Sequence, residues 1–194
     1  YHARLAERGA CFGETAGWER PNFYAPEGEK AEYRYSYARQ NFFPWTAEEH
    51  RATREGVGLY DQTSYAKFLL QGPEAESVLQ RVSAADVARP MGKVVYTQWL
   101  NPSGGIEADL TVTRIEEESF LVVTTAATRF RDFHFLKAAI GNAYAILTDV
   151  TSGFATLGIM GPDSRELLGS LSSADLSNAS FPFGTSQEIE LDYG

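Results

Sequence analysis

Asp61-Gln62-Thr63-Ser64, then Gly72-Pro73-Glu74, then Ser83-Ala84-Ala85-Asp86-Val87: this order is met twice in the chain. Asp149-Val150-Thr151-Ser152 answers the first stretch, Gly161-Pro162-Asp163 the second and Ser172-Ser173-Ala174-Asp175-Leu176 the third. Between corner and end, Val78, Leu79 and Val82 are matched by Leu167, Leu168 and Leu171. The offset is 88 residues at the first pair and 89 afterwards, so a single insertion separates the copies from uniform register. Each copy reads as a strand feeding a helix through a Gly-Pro corner, with Pro at the first helical position, where an N–H is not needed. A duplicated subdomain is the expectation, and two related subdomains leave a cleft of the kind that holds ligands. The plainer alternative is two ordinary strand-Gly-Pro-helix units.

Working outward, Thr46-Ala47-Glu48-Glu49 has the form of a capping box, with Thr46 as N-cap of a helix to about Glu55 that Gly56 and Gly58 stop. Strands are expected at 64–71, 93–100, 105–115, 120–125, 143–150 and 154–160, and helices from Pro73 to about Ser83, at 128–140, and from Pro162 to about Leu171. Asn101-Pro102-Ser103-Gly104-Gly105 supplies the bend of a hairpin. The expected fold class is α+β, with antiparallel sheets and flanking helices around the duplicated unit. Residues 1–45 differ. They hold 11 aromatic residues, among them Trp18, Phe23, Tyr33, Phe42 and Trp45, and are broken by Gly13, Gly17, Pro21, Pro26 and Pro44 without a sustained period. They read as a connector arm that wraps its own domain or covers a preceding one, and 46–194 as the domain proper.

The 194 residues carry a formal net charge of -9 and no Lys/Arg-rich run, which argues against nucleic acid and anionic membrane as partners. No apolar stretch is long enough for a membrane span. A single cysteine, Cys11, excludes an internal disulfide and suits a reducing compartment, cytoplasmic or mitochondrial matrix. The chain opens on Tyr1 inside a helix-like pattern and closes on Gly194 after a strand-like run, so both ends read as cuts. A shortened core leaves apolar surface that favours self-association into a homo-oligomer.

Gly56-Val57-Gly58-Leu59-Tyr60-Asp61 begins like a dinucleotide fingerprint but follows a helix and lacks the third glycine, so it is rejected. His2, His50 and His134 lack metal-ligand spacing, so no metal is expected. In 105–115, Ile106, Ala108, Leu110 and Val112 alternate with Glu107, Asp109, Thr111 and Thr113. The first set is a core face. The second is either solvated or lines a cleft with a carboxylate aimed at a ligand, and Tyr96 on the facing strand could supply an aromatic wall.

At this hairpin the sequence resembles the aminomethyltransferase (T-protein) family. Tyr96-Thr97 through Asn101, then Gly104-Gly105-Ile106 and Asp109-Leu110, are similar to its tyrosine strand, Gly-Gly turn and functional aspartate. The two Asp-x-Thr-Ser and Gly-Pro stretches resemble its other recurrent segments. Ser164-Arg165-Glu166-Leu167-Leu168, Phe181-Pro182-Phe183, Phe12-Gly13-Glu14 and Gly17-Trp18-Glu19-Arg20-Pro21-Asn22 resemble the dimethylglycine/sarcosine dehydrogenase branch. The resemblance implies a folate-binding domain, here truncated, that passes a one-carbon unit from an iminium intermediate to tetrahydrofolate. It implies an FAD domain of the same polypeptide that oxidises an N-methyl amine, with FAD itself held only there. Asp109 is the implied catalytic residue, and Tyr65, Tyr96, Asp109 and Thr125 the implied folate contacts. T-proteins have Asn at the position of Thr125 and Met at that of Tyr65, and their pterin-gripping Glu and glutamate-pairing Arg fall beyond Gly194. A non-catalytic folate-binding or assembly module is the alternative reading.

Overall fold

A computed structural model describes residues 2–191. Among the described residues, five α-helices and nine strands run in the order α1 (His2–Glu7), β1 (Ala10–Thr15), β2 (Trp18–Tyr24), α2 (Phe43–Glu55), β3 (Gly58–Asp61), β4 (Ala66–Gln71), α3 (Ala75–Val82), β5 (Val94–Leu100), β6 (Ile106–Glu116), β7 (Ser119–Thr124), α4 (Arg129–Ile140), β8 (Ile146–Asp149), β9 (Leu157–Met160) and α5 (Ser164–Gly169). The chain divides into two units, residues up to 60 with 158–167, and 61–157 with the remainder.

The second unit is built on a five-stranded sheet of order β5-β6-β7-β4-β8, antiparallel at every pairing. Its inner face carries Phe68 and Leu70 of β4, Trp99 of β5, Leu110 and Val112 of β6, and Phe120 and Val122 of β7. Val78 and Leu79 of α3 and Leu136 of α4 close over it, all completely buried. Full burial of each such side chain contributes about 1.5–3 kcal/mol, so this layer is where the stability of the unit resides. The expected antiparallel α+β architecture is therefore the one observed.

The duplication is visible as an exchange of hydrogen bonds. In the turn after β3, Asp61 Oδ1 accepts from Thr63 N–H at 3.0 Å; in the turn after β8, Asp149 Oδ1 accepts from Thr151 N–H at 3.0 Å. The Thr63 hydroxyl accepts from Thr156 N–H (3.2 Å), and the Thr151 hydroxyl accepts from Lys67 N–H (3.0 Å). Backbone bonds repeat the swap: Gln62 N–H to Thr156 O (2.8 Å) and Val150 N–H to Lys67 O (2.9 Å). Each copy's turn thus holds the other copy's following strand. The extra residue of the second copy falls between Ser152 and Thr156, where the 3-10 turn Thr151–Gly153 ends.

The Gly-Pro corners match as well. Gly72 and Gly161 sit at φ +131 and +123, open to glycine and costly for other residues. A Cβ on Gly72 would strike the Tyr144 carbonyl oxygen, and one on Gly161 the Gly56 carbonyl oxygen. Those same carbonyls accept from Glu74 N–H (3.3 Å) and Asp163 N–H (3.1 Å). The Ala-Asp ends agree too, with Asp86 Oδ1 accepting from Ala88 N–H (3.0 Å) and Asp175 Oδ1 from Ser177 N–H (2.9 Å).

The first unit departs from the sequence reading. Residues 1–45 are not irregular throughout: β1 and β2 form an antiparallel hairpin with a bulge at Cys11/Phe12. The bulge breaks the period-2 pattern, and Pro21 sits opposite Phe12, which hid the strands. Phe23 is buried against Phe42 (centroids 4.7 Å) and Trp45 (5.6 Å). Thr46 is not an N-cap. The helix begins at Phe43 with Pro44 in its first turn, and the Thr46 hydroxyl bonds back to Phe43 O at 3.2 Å. Gly56 and Gly58 lead from a helix into a strand, the reverse of the order a dinucleotide fingerprint requires.

On β6, Ala108, Leu110 and Val112 are buried as expected, but Ile106 is exposed and Thr113 is buried. A bulge at Trp99/Leu100 offsets Ile106, and Thr113 lies between Val94 and Leu121 in register. Phe130, placed on the core stripe of α4 by its spacing, is also exposed.

Gly72→Ala and Gly161→Ala are each expected to lose about 3 kcal/mol of stability in urea unfolding, from strain plus backbone collision. Gly104→Ala, at φ +79 but with open space around it, should lose only about 1 kcal/mol.

Candidate functional site

The sheet's other face carries the residues singled out by sequence. Register places Tyr96 opposite Thr111, Thr111 opposite Val123, and Val123 opposite Lys67, in one row across four strands. The next row begins with Gln98 opposite Asp109. Extended by the same register, it continues to Thr125, one residue past β7, and Tyr65, one residue before β4. Tyr65, Tyr96, Asp109 and Thr125 are therefore brought onto adjacent rows of one face. All four are exposed.

Asp109 is anchored at both oxygens. The Tyr96 hydroxyl donates to Oδ2 at 2.8 Å and Gln98 Nε2 donates to Oδ1 at 3.0 Å. The three residues meet because β5 and β6 form the two sides of the hairpin. Asn101 shapes its bend: its Oδ1 accepts from Ser103 N–H (3.0 Å) and Gly105 N–H (2.9 Å). A carboxylate oxygen has two acceptor directions, so each Asp109 oxygen keeps capacity for a ligand N–H. The hydrogen bond to the carboxylate pushes the Tyr96 phenol above its usual value, with desolvation and the nearby negative charge acting in the same direction. Losing the phenolic proton would set an anion against Asp109.

Thr125 precedes the 3-10 turn Ala126–Thr128 in extended conformation, and its hydroxyl makes no capping bond. The turn is pinned from below by buried Asp132, whose Oδ2 accepts from Thr124 Oγ1 (2.7 Å) and Thr128 Oγ1 (2.6 Å). Beneath Tyr65, the buried Lys67 ammonium donates to the Thr63 and Tyr65 carbonyls, both at 2.8 Å. Burial pushes that ammonium below its usual value, Arg129 adds to the effect, and Asp61 and Asp149 oppose it. Asp149 itself is raised by burial, but the Arg129 guanidinium (Nε to Oδ2, 2.7 Å) and Thr151 outweigh this and hold it low.

Sequence reading missed Gln98, Asp132 and Lys67. Gln98 was findable, since it shares the parity of Tyr96 and faces Asp109 across the hairpin. Asp132 and Lys67 gave no signal, because a charged residue inside a helix or strand reads as solvated. Of two described cavities, both in the second unit, one is bordered by Tyr96; Asp109, Tyr65 and Thr125 line neither. Among the described residues there is no cluster of His, Cys, Asp or Glu able to hold a metal, and no helix is long and apolar enough to cross a membrane.

A duplicated unit around an antiparallel sheet, with an anchored aspartate after a Gly-Gly bend, defines an aminomethyltransferase-type domain. The family model for the GCVT N-terminal domain matches residues 1–194, and the chain belongs to that family. It is 45% identical over 190 residues to 4-methylaminobutanoate oxidase (formaldehyde-forming) of Paenarthrobacter nicotinovorans, covering 98% of this chain and 23% of that protein. It is 28% identical to rat (Rattus norvegicus) mitochondrial dimethylglycine dehydrogenase, covering 97% of this chain and 22% of that one. The structure of the glycine cleavage system aminomethyltransferase T from Bartonella henselae superposes with TM-score 0.72 at 26% identity, covering 88% of this chain and 42% of that one. The chain thus spans under a quarter of the length of these two sequence relatives.

In Asp109→Asn the Tyr96 phenol should titrate at lower pH than in the native protein, measured by NMR on ring-labelled tyrosine. An unchanged midpoint would show that the carboxylate does not govern this hydroxyl.

Proposed function

We propose that this chain is the folate-binding part of a flavin-dependent N-methyl amine dehydrogenase or oxidase, and that it serves transfer of the released carbon to tetrahydrofolate. The observation that carries the reading is Asp109, fixed by Tyr96 and Gln98 on an exposed sheet face. The face suits a flat ligand with N–H donors. Tyr96 offers a ring, Thr125 a hydroxyl free of capping, Val123 an apolar floor, and Tyr65 a second ring on a turn braced by Lys67.

Tetrahydrofolate supplies two nitrogen nucleophiles that take up the carbon of the iminium, and the demethylated amine leaves protonated, carrying the two displaced protons. The part of Asp109 is to orient the attacking amine, accept its proton and stabilise cationic character as the bond forms. Tyr96 and Gln98 keep the carboxylate from turning away. The flavin that oxidises the amine belongs to another part of the polypeptide, as the length of the relatives allows.

A second reading has its own support, because one relative is named for forming formaldehyde. Without a nitrogen acceptor, an iminium is hydrolysed by water to the amine and formaldehyde. In the full-length protein, Asp109→Ala should leave amine oxidation intact and lower methylenetetrahydrofolate yield by about 100-fold, the scale of losing one acid–base group, with formaldehyde rising in its place. An unchanged methylenetetrahydrofolate yield would reject the role of Asp109. Formaldehyde alone from the native protein supplied with tetrahydrofolate would favour the second reading.

A further inference from the structure

Residues 26–42, between β2 and α2, contain neither helix nor strand, yet they are tied down. Asn41 clamps the segment: its Oδ1 accepts from Arg34 N–H at 3.1 Å and its Nδ2 donates to Glu32 O at 3.0 Å. The Glu32 carboxylate accepts from the Lys30 ammonium at 2.5 Å and the Arg34 guanidinium at 2.7 Å. Tyr33 turns inward onto Phe42 (centroids 5.3 Å) and Phe23 (6.3 Å). Further along, the Ser36 hydroxyl accepts from Ala38 N–H at 3.0 Å and the Ser36 carbonyl from Gln40 Nε2 at 3.1 Å.

This strap holds two rings out in water. Tyr37 is fully exposed and Tyr35 nine-tenths exposed. Among the described residues, the Tyr35 ring meets that of Tyr33 alone (4.8 Å), and Tyr37 meets no ring. Arg39 lies over the Phe43 ring at 4.4 Å and forms no ion pair with any described residue. Ordering a segment costs conformational entropy, and at Tyr35 and Tyr37 that cost brings no local burial in return. Tyrosines presented beside an uncommitted arginine have the composition of a binding hot spot. Area decides what covers them. Two tyrosine side chains bury at most about 500 Å², whereas a free complex takes about 800 Å² from each partner. A tethered surface needs less, because the link raises its effective concentration to about millimolar. This chain covers 23% and 22% of its oxidase and dehydrogenase relatives, so most of their length lies outside the matched stretch and can supply such a surface.

We infer that the strap of Tyr35, Tyr37 and Arg39 docks on the flavin-bearing part of the same polypeptide, against a surface that receives two phenol rings and sets a carboxylate opposite Arg39. This rests on the reading above in taking that part to be present, and it does not involve the Asp109 face. The clamp at Asn41 and the inward ring of Tyr33 fix the strap before contact, so little ordering remains to be done when the two parts meet.

The test is acetylation of tyrosines by N-acetylimidazole in the full-length protein supplied with FAD, followed peptide by peptide by mass spectrometry, with flavin binding recorded on the same sample. Tyr35 and Tyr37 should react at least about tenfold more slowly than free tyrosine, because a covered ring reacts only when its contact opens. Dilution should not change the rates. Arg39→Glu, at an exposed side chain, should bring both rates to within about twofold of free tyrosine by setting like charges against each other. Rates near that of free tyrosine in the native flavin-bound protein overturn the docking and leave the folate reading standing. Slow rates that turn fast on dilution give the cover to a second copy of the protein and overturn the assignment. Slow rates that survive Arg39→Glu overturn the pairing of Arg39. A full-length protein that binds no FAD overturns the reading on which the inference rests.

Discussion

Two threonine hydroxyls tie the two copies of the repeat to each other. Thr63 takes the N–H of Thr156 and Thr151 takes the N–H of Lys67. A turn normally satisfies its own backbone groups; here each turn satisfies the strand start of the other copy, 84 or 93 residues away in sequence. Neither copy is complete without its partner. The exchange brings β8 against β4 and so ends the sheet order β5-β6-β7-β4-β8. It also sets where Lys67 enters the sheet. Once Lys67 is placed opposite Val123, the rows that carry Tyr96, Asp109, Thr125 and Tyr65 follow from register alone, because a slip of one residue would turn every side chain to the opposite face.

The shared and unshared parts of the duplication have different duties. Both copies keep the Asp-x-Thr-Ser turn and the Gly-Pro corner, because each answers a backbone requirement: an orphan N–H, a positive φ, a carbonyl too close for a Cβ. The copies diverge at the residues that follow the turn. Where the first has Tyr65 and Lys67, the second has Gly153 at the matching offset and Thr156 as the bonding counterpart of Lys67. The ring and the buried ammonium occur only on the side facing the Asp109 row. The frame is common to both copies, and the proposed site lies where they differ.

Legibility followed the range of the interaction. The repeat could be read because its Gly, Pro, Asp and Thr residues answer local backbone demands that leave a fixed sequence mark. Asp109 and Tyr96 could be read because a hairpin converts parity in sequence into adjacency in space. The hairpin of β1 and β2 could not, since a bulge at Cys11/Phe12 interrupts alternation and the strands are short. Thr46 misled because a capping box and a mid-helix threonine that bonds back to the preceding turn share one local pattern; Pro44 in the first turn was the better signal. Ile106 was assigned to the wrong side because the rule of two takes no account of the bulge at Trp99/Leu100, whereas Thr113 lies on the expected side but is covered by neighbouring strands.

Lys67 and Asp132 show why a site's support is harder to read than the site. A buried ammonium is expensive unless its donors are used, and Lys67 spends two on the carbonyls of the turn that presents Tyr65. Asp132 spends one oxygen on the hydroxyls flanking the turn that presents Thr125. Lys67 lies on the face itself, in the row of Val123, and Asp132 on the inner side against Thr124; each is bonded to a loop that presents one of the site residues. The turn before β4 and the 3-10 turn after β7 have backbone bonds of their own, and these two side chains add further bonds that fix Tyr65 and Thr125 relative to Asp109. A flat ligand needs its contacts fixed before it arrives, since ordering loops on binding subtracts from affinity. In the folate reading proposed above, these two buried charges would be positioning residues, and Tyr65 and Thr125 the groups they position.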